Sequence, residues 1–118
     1  MSTRTVFRSP MPRPLIDLVA ARFRALGEPA RLQILDVLRD GELTVNDIVE
    51  RTSLSQANAS RHLRQLHDLA FVSRRKDGLH VHYSIKDRKV YQMCDLVCGQ
   101  VDLELTARQR IVAAHFKP

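Results

Sequence analysis

Between Ser55 and Gln65 the chain sets out hydroxyl, amide and guanidinium groups in quick succession: Ser55, Gln56, Asn58, Ser60, Arg61, Arg64 and Gln65. Such groups suit nucleobase edges and phosphates, since Arg bridges guanine O6 and N7 while Asn or Gln bridges adenine N6 and N7. Further on, Arg74, Arg75 and Lys76 form a cation cluster beside Asp77-Gly78, a charge that would meet a phosphate backbone or a minor groove. Cys94 and Cys98 lie four residues apart, so on a helix both thiolates would face one side and chelate one soft ion, with a third ligand from elsewhere. An intrahelical disulfide fits poorly, because Cβ atoms four residues apart are ~5–6 Å from one another and a disulfide wants ~3.8 Å. Two other readings stay open for the pair: small apolar packing residues, or thiols that react with an oxidant or a sulfur species. His80 and His82 would share a strand face and offer half a metal site, although a polar outer face is the plainer reading. No Gly-rich phosphate loop occurs, and His62, His67, His80, His82 and His115 form no nucleophile–base arrangement, so catalysis is not expected.

The elements that must position these groups follow from periodicity. At 100° per residue Ala59, Leu63, Leu66 and Ala70 share one arc of a helix, opposite a side centred on Ala57, Arg61, Arg64 and Asp68. Ser55 is a suitable N-cap for that helix, predicted to run to about Leu69, with Leu54 and Ala59 spaced as a staple. Ahead of it, Thr44 and Asp47 resemble a capping pair for a two-turn helix carrying Val45, Ile48 and Val49, and Thr52-Ser53-Leu54 makes a short break. Two scaffold helices precede these. One covers 15–26 and stops at Gly27; the other starts at Pro29 and ends at Gly41.

After Phe71-Val72 the period changes. Asp77-Gly78 signals a two-stranded hairpin with Arg74, Arg75 and Lys76 at its tip, followed by alternation of Leu79, Val81, Tyr83 and Ile85 against His80, His82 and Ser84. Asp87 is placed to cap a long helix over 88–103 with a stripe of Val90, Tyr91, Cys94, Val97, Cys98 and Val101. Thr106 with Gln109 either opens a separate helix over 107–116 or lies in a continuation. Residues 1–14, with three prolines and three arginines and no period, read as a basic flexible arm, and 15–118 as one domain. The order is helix, helix, helix-turn-helix, hairpin, helix: a mainly α winged helix-turn-helix with a small β wing.

Nineteen Lys and Arg against 13 Asp and Glu leave a net charge of +6 over 118 residues, which calls for an anionic partner. The excess concentrates at 51–76, where six basic residues face one acid. No run approaches the ~20 apolar residues of a membrane span, and two closely spaced cysteines are too few for a secreted disulfide framework. A cytoplasmic protein with no membrane attachment is expected.

Three segments, Leu26-Gly27-Glu28-Pro29-Ala30-Arg31-Leu32-Gln33-Ile34-Leu35, Leu54-Ser55-Gln56-Ala57-Asn58-Ala59-Ser60-Arg61-His62-Leu63 and Gly78-Leu79-His80-Val81-His82-Tyr83-Ser84-Ile85, closely resemble the ArsR/SmtB family of bacterial repressors. The resemblance covers about residues 15–103. It implies a homodimer joined by the first and last long helices, which binds an inverted-repeat operator in double-stranded DNA and is released by metal ions, metalloids or thiol oxidation. The family's Cys-x-Cys site is missing, since Glu42 to Ile48 holds no thiol. A second family site, Asp-x-His followed after ten residues by His-x-x-Glu or His, is matched only by Asp102 and His115, with Glu104 where His is usual and Pro118 at the last position. The effector therefore stays open between a soft metal or metalloid, zinc, a thiol-reactive species, and none. A non-specific nucleic-acid-binding or interaction module is the alternative function.

Overall fold

A computed structural model of the protein describes residues 8–115, so the first half of the arm expected over 1–14 falls outside the described residues, and its last two residues, Arg13 and Pro14, belong to a helix. The chain divides into two compact units, one ending at Lys86 and the other beginning at Asp87.

The first unit opens with α1 (Arg13–Leu26). It starts two residues before the predicted boundary, because Pro14 sits in its first turn, where a missing N–H costs nothing and the fixed φ already suits a helix. Gly27 caps its end through its N–H to the carbonyls of Phe23 and Arg24. Pro29 likewise begins α2 (Pro29–Val37), and the chain tightens into a 3₁₀ turn over Leu38–Asp40 before Gly41. Gly41 has φ +148°, a conformation that L side chains rarely adopt.

Two residues, Leu43–Thr44, form β1, and α3 (Val45–Arg51) follows at once. The predicted capping box is present in both directions: Thr44 Oγ1 accepts from the Asp47 N–H at 3.2 Å, and the Thr44 N–H donates to Asp47 Oδ2 at 3.0 Å. The Thr44 backbone N–H, and after it the Thr44 hydroxyl, hold the Asp47 carboxyl below its usual range. Thr52 closes α3 by donating its hydroxyl to the Ile48 carbonyl at 2.8 Å. After the break comes α4 (Gln56–Asp68), which packs on α2 and α3. Ile34, Leu35, Leu38, Ile48, Leu63, Leu66 and Val72 form the fully buried centre of this helical layer.

The β region departs from a two-stranded hairpin. β2 (Val72–Asp77) and β3 (His80–Ile85) pair antiparallel, and β1 adds a third strand in the order β1-β3-β2, with Leu43 opposite Tyr83. Asp77 pairs with His80, so the two-residue loop is Gly78-Leu79 and not Asp77-Gly78. Leu79 accordingly leaves the apolar face on which alternation had placed it and stands at the apex. Arg74, Arg75 and Lys76 lie along β2, opposite Tyr83, His82 and Val81, and not at the tip.

In the second unit, α5 runs unbroken over Lys89–His115, so Thr106 lies inside a continuous helix. Asp87 Oδ1 accepts from the Lys89 N–H at 2.9 Å, which fulfils its predicted capping role. Among the described residues no helix is long and apolar enough to cross a membrane.

Candidate nucleic-acid interface

The N-terminus of α4 is built by Ser55, whose hydroxyl accepts from the Asn58 N–H at 3.2 Å and satisfies one of the helix's orphan donors. One face of the helix is locked inward: Ala59, Leu63 and Leu66 are completely buried. The other face is open, with Gln56, Asn58, Arg61, Arg64 and Gln65 exposed and Ser60 half-buried. Arg61 donates to Asn58 Oδ1 at 3.3 Å, so one guanidinium and one amide stand side by side on the exposed turn.

Two parts of the predicted face differ. Ala70 does not belong to the buried arc: α4 ends at Asp68, and Ala70 takes φ +63° on the surface. The Phe71 N–H reaches the Leu66 carbonyl at 2.9 Å and the Ala70 N–H reaches the His67 carbonyl at 3.0 Å. This is a Schellman closure with Ala where Gly is usual. Gln65, predicted to reach DNA, has its side-chain oxygen engaged by the Arg31 guanidinium of α2. Its carbonyl is committed to the scaffold.

His62 fills the place in the inward arc that Ala70 vacates, at 7% exposure. Burial, then the nearby positive charges of Arg31 and Arg61, hold its pKa below the ordinary 6.5. Its Nδ1 is buried with no hydrogen-bond partner among the described residues.

The wing's cations are not equivalent. Arg75 reaches Glu42, just before β1, with Nε at 3.2 Å and a terminal nitrogen at 2.6 Å. Glu42 in turn lies 3.6 Å from His82 Nδ1. The hydrogen bond from Arg75 pulls the Glu42 carboxyl below its usual range and raises the guanidinium's own pKa. All three cations are exposed, but Arg75 spends its fork on Glu42, whereas Arg74 and Lys76 alternate to the opposite face. Sequence reasoning passed over Glu42 because a two-residue strand carries no readable alternation.

On α5, Cys94 is half-buried and Cys98 exposed, both as thiols. Asp102 and His115 are separated by 13 residues of one helix, about 20 Å of rise, so a single chain does not bring them together. Glu104 is paired with Arg108 at 2.6 Å. Among the described residues no group of three or more His, Cys, Asp and Glu side chains converges on a point that would hold a metal ion.

A short helix, a second helix after a brief turn and a β wing make a winged helix-turn-helix, an arrangement shared with proteins already known. Residues 28–74 match the family described as bacterial regulatory protein, arsR family. The arsenical resistance operon repressor of Staphylococcus aureus is 32% identical over 94 residues, 80% of this chain and 86% of the relative. The chain belongs to the arsR family. The probable mercury resistance operon repressor of Streptomyces lividans is 42% identical over 74 residues, and the match spans 63% of this arsR-family chain but only 59% of that relative's length. Among solved structures, the homodimeric winged helix-turn-helix DNA-binding domain of a possible ArsR-family regulator from Mycobacterium bovis superposes with a TM-score of 0.69. It is 33% identical and covers 83% of this chain and 91% of that one. The relatives are regulators and repressors, not enzymes.

Proposed function

We propose that the chain is a transcriptional repressor that binds an inverted-repeat operator as a homodimer and is released by an effector. One observation carries the reading: α4 presents Gln56, Asn58, Arg61 and Arg64 to solvent from a helix whose other face is fixed by fully buried Ala59, Leu63 and Leu66. In a helix-turn-helix the N-terminal part of the second helix enters the major groove. Arg61, Arg64 and Asn58 then read base edges, Gln56 and Ser60 flank them, and the Ser55-capped N-terminus lies near phosphate. Arg74 and Lys76 meet the backbone from the wing. A two-fold arrangement would put two such helices one DNA turn apart, about 34–36 Å.

The effector assigned to this reading is a soft metal, a metalloid or a thiol-reactive species acting at Cys94 and Cys98. Its support is the one-turn spacing of two thiols on α5 and the mercury and arsenical repressors among the relatives. Zinc at Asp102, Glu104 and His115 is the weaker assignment, because these side chains do not converge within one chain.

Footprinting on the DNA upstream of the chain's own gene tests the core of the proposal. A discrete, near-palindromic protected site supports a repressor, and uniform coverage would instead mark a non-specific nucleic-acid-binding module. Replacing both cysteines by serine should leave operator binding intact and abolish release by arsenite, Cd(II) or a persulfide donor. A double variant that still releases returns both thiols to packing.

A further inference from the structure

Leu79 is 99% exposed at the apex of the wing. The other large apolar side chains left open are 41–71% exposed, and all of them lie on helices. Single exposed apolar residues are ordinary, but this one touches almost nothing of its own chain, so folding does not account for it. Turn chemistry does not account for it either. Gly78 takes φ +60° and Leu79 is not left-handed, the pattern of a two-residue turn with Gly first, whose second place commonly holds Asn, Asp or Ser.

The surroundings of Leu79 point to one occupant. The strand leading to it carries Arg74 and Lys76, both exposed. The hairpin is braced from behind by β1 pairing with β3 and by the Arg75 fork on Glu42. A stiff two-stranded projection with cations along its flank and one aliphatic group at its point matches the chemistry of minor-groove wedges. There, Leu and similar side chains enter between base steps while Lys and Arg follow the phosphates. We infer that Leu79 is such a wedge: the wing seats it at a deformable base step of the operator minor groove and so makes the protein sensitive to sequence beyond the reach of α4. The inference rests on the DNA-binding reading above. Pyrimidine–purine steps, which unstack most easily, are the favoured place.

The test uses the full-length protein and duplexes that the wild type selects from a randomised pool. Leu79→Ala is expected to weaken binding to the selected duplex about tenfold, in line with loss of a partly buried Leu. It should also flatten base preference at the outer positions, with no change in the slope of log K against log salt. A 2-aminopurine placed at the outer step should brighten when the wild type binds and stay dim with Leu79→Ala. Leu79→Met, which keeps apolar reach, should preserve both effects. Unchanged affinity and preference in Leu79→Ala would overturn the wedge while leaving the DNA reading in place. A pool that yields no consensus with the wild type would remove both. A change in the association state of the free protein on Leu79→Ala would assign the residue to a protein contact and overturn the wedge.

Discussion

His62 shows how one side chain can carry a condition of the fold. It sits on the buried side of α4 with two arginines nearby, and desolvation first, then their charge, hold its pKa below 6.5. The unfolded chain therefore takes up the proton first. The stability that neutral His62 provides is complete above about pH 6.5 and is lost as pH falls from there through the depressed native pKa. A titration of the imidazole resonances should give His62 a midpoint under 6.5, and His62→Leu should flatten the fall in Tm between about pH 7.5 and about pH 5. A midpoint at or above 6.5 would remove the account. Ala70 carries a second local cost. At φ +63° its Cβ is strained, and Ala70→Gly should stabilise the protein by about 0.5–1 kcal/mol, the left-handed penalty less the entropy of a freer unfolded chain. The caps at Thr44 and Ser55 were legible because a hydroxyl ahead of an apolar-periodic run has one dominant use. The buried place of His62 was also written in its spacing, three residues after Ala59 and four before Leu66, but a polar side chain in that arc is easily read as a break in the pattern.

The elements diverge from the sequence reading where pairing, not periodicity, decides. Alternation over 79–85 identified a strand, but the register of a hairpin depends on which two residues the turn leaves out. Gly78 served equally well as the second residue of an Asp-Gly turn or the first of a Gly-Leu turn. The observed choice lets Asp77 pair with His80 and sets Arg75 beside His82, within reach of Glu42. β1 was invisible for a different reason: two residues have no period, and Leu43 and Thr44 become a strand only because Tyr83 and His82 offer an edge. A prediction belongs to this scale. On the proposed operator, Arg74→Ala and Lys76→Ala should each reduce the slope of log K against log salt by roughly 0.9, the value for one phosphate contact in duplex DNA. Arg75→Ala should reduce it less, because Glu42 already offsets that charge. Equal losses for all three in a salt titration would mean that the Arg75–Glu42 pair opens when DNA binds.

For the whole molecule, the exposed apolar surface demands a partner. On α1, Ile16, Leu18 and Phe23 are 43–62% exposed, and on α5 so are Val97 at 59%, Val101 at 47% and Val112 at 54%. The sequence stripe through Val90, Tyr91, Cys94, Val97, Cys98 and Val101 is longer than one small core can cover, and a single copy buries only its first turn, at Val90 and Tyr91. A helix of 27 residues, about 40 Å long, with valines open along one side is a natural seam for a two-fold contact. Cys94 and Cys98 lie in that stretch, so an effector bound there would act on the seam rather than on α4 directly. Val97→Asp with Val101→Asp tests the arrangement without disturbing a buried core. The double variant should sediment as a monomer. It should also bind the full operator about 10²- to 10⁴-fold more weakly than the wild type, the loss expected when two linked half-site contacts become independent. Its affinity for an isolated half-site should be unchanged, because α4 and the wing are intact. A variant that stays dimeric in sedimentation equilibrium would move the two-fold contact off this stretch of α5, and with it the route by which the thiols were taken to reach DNA.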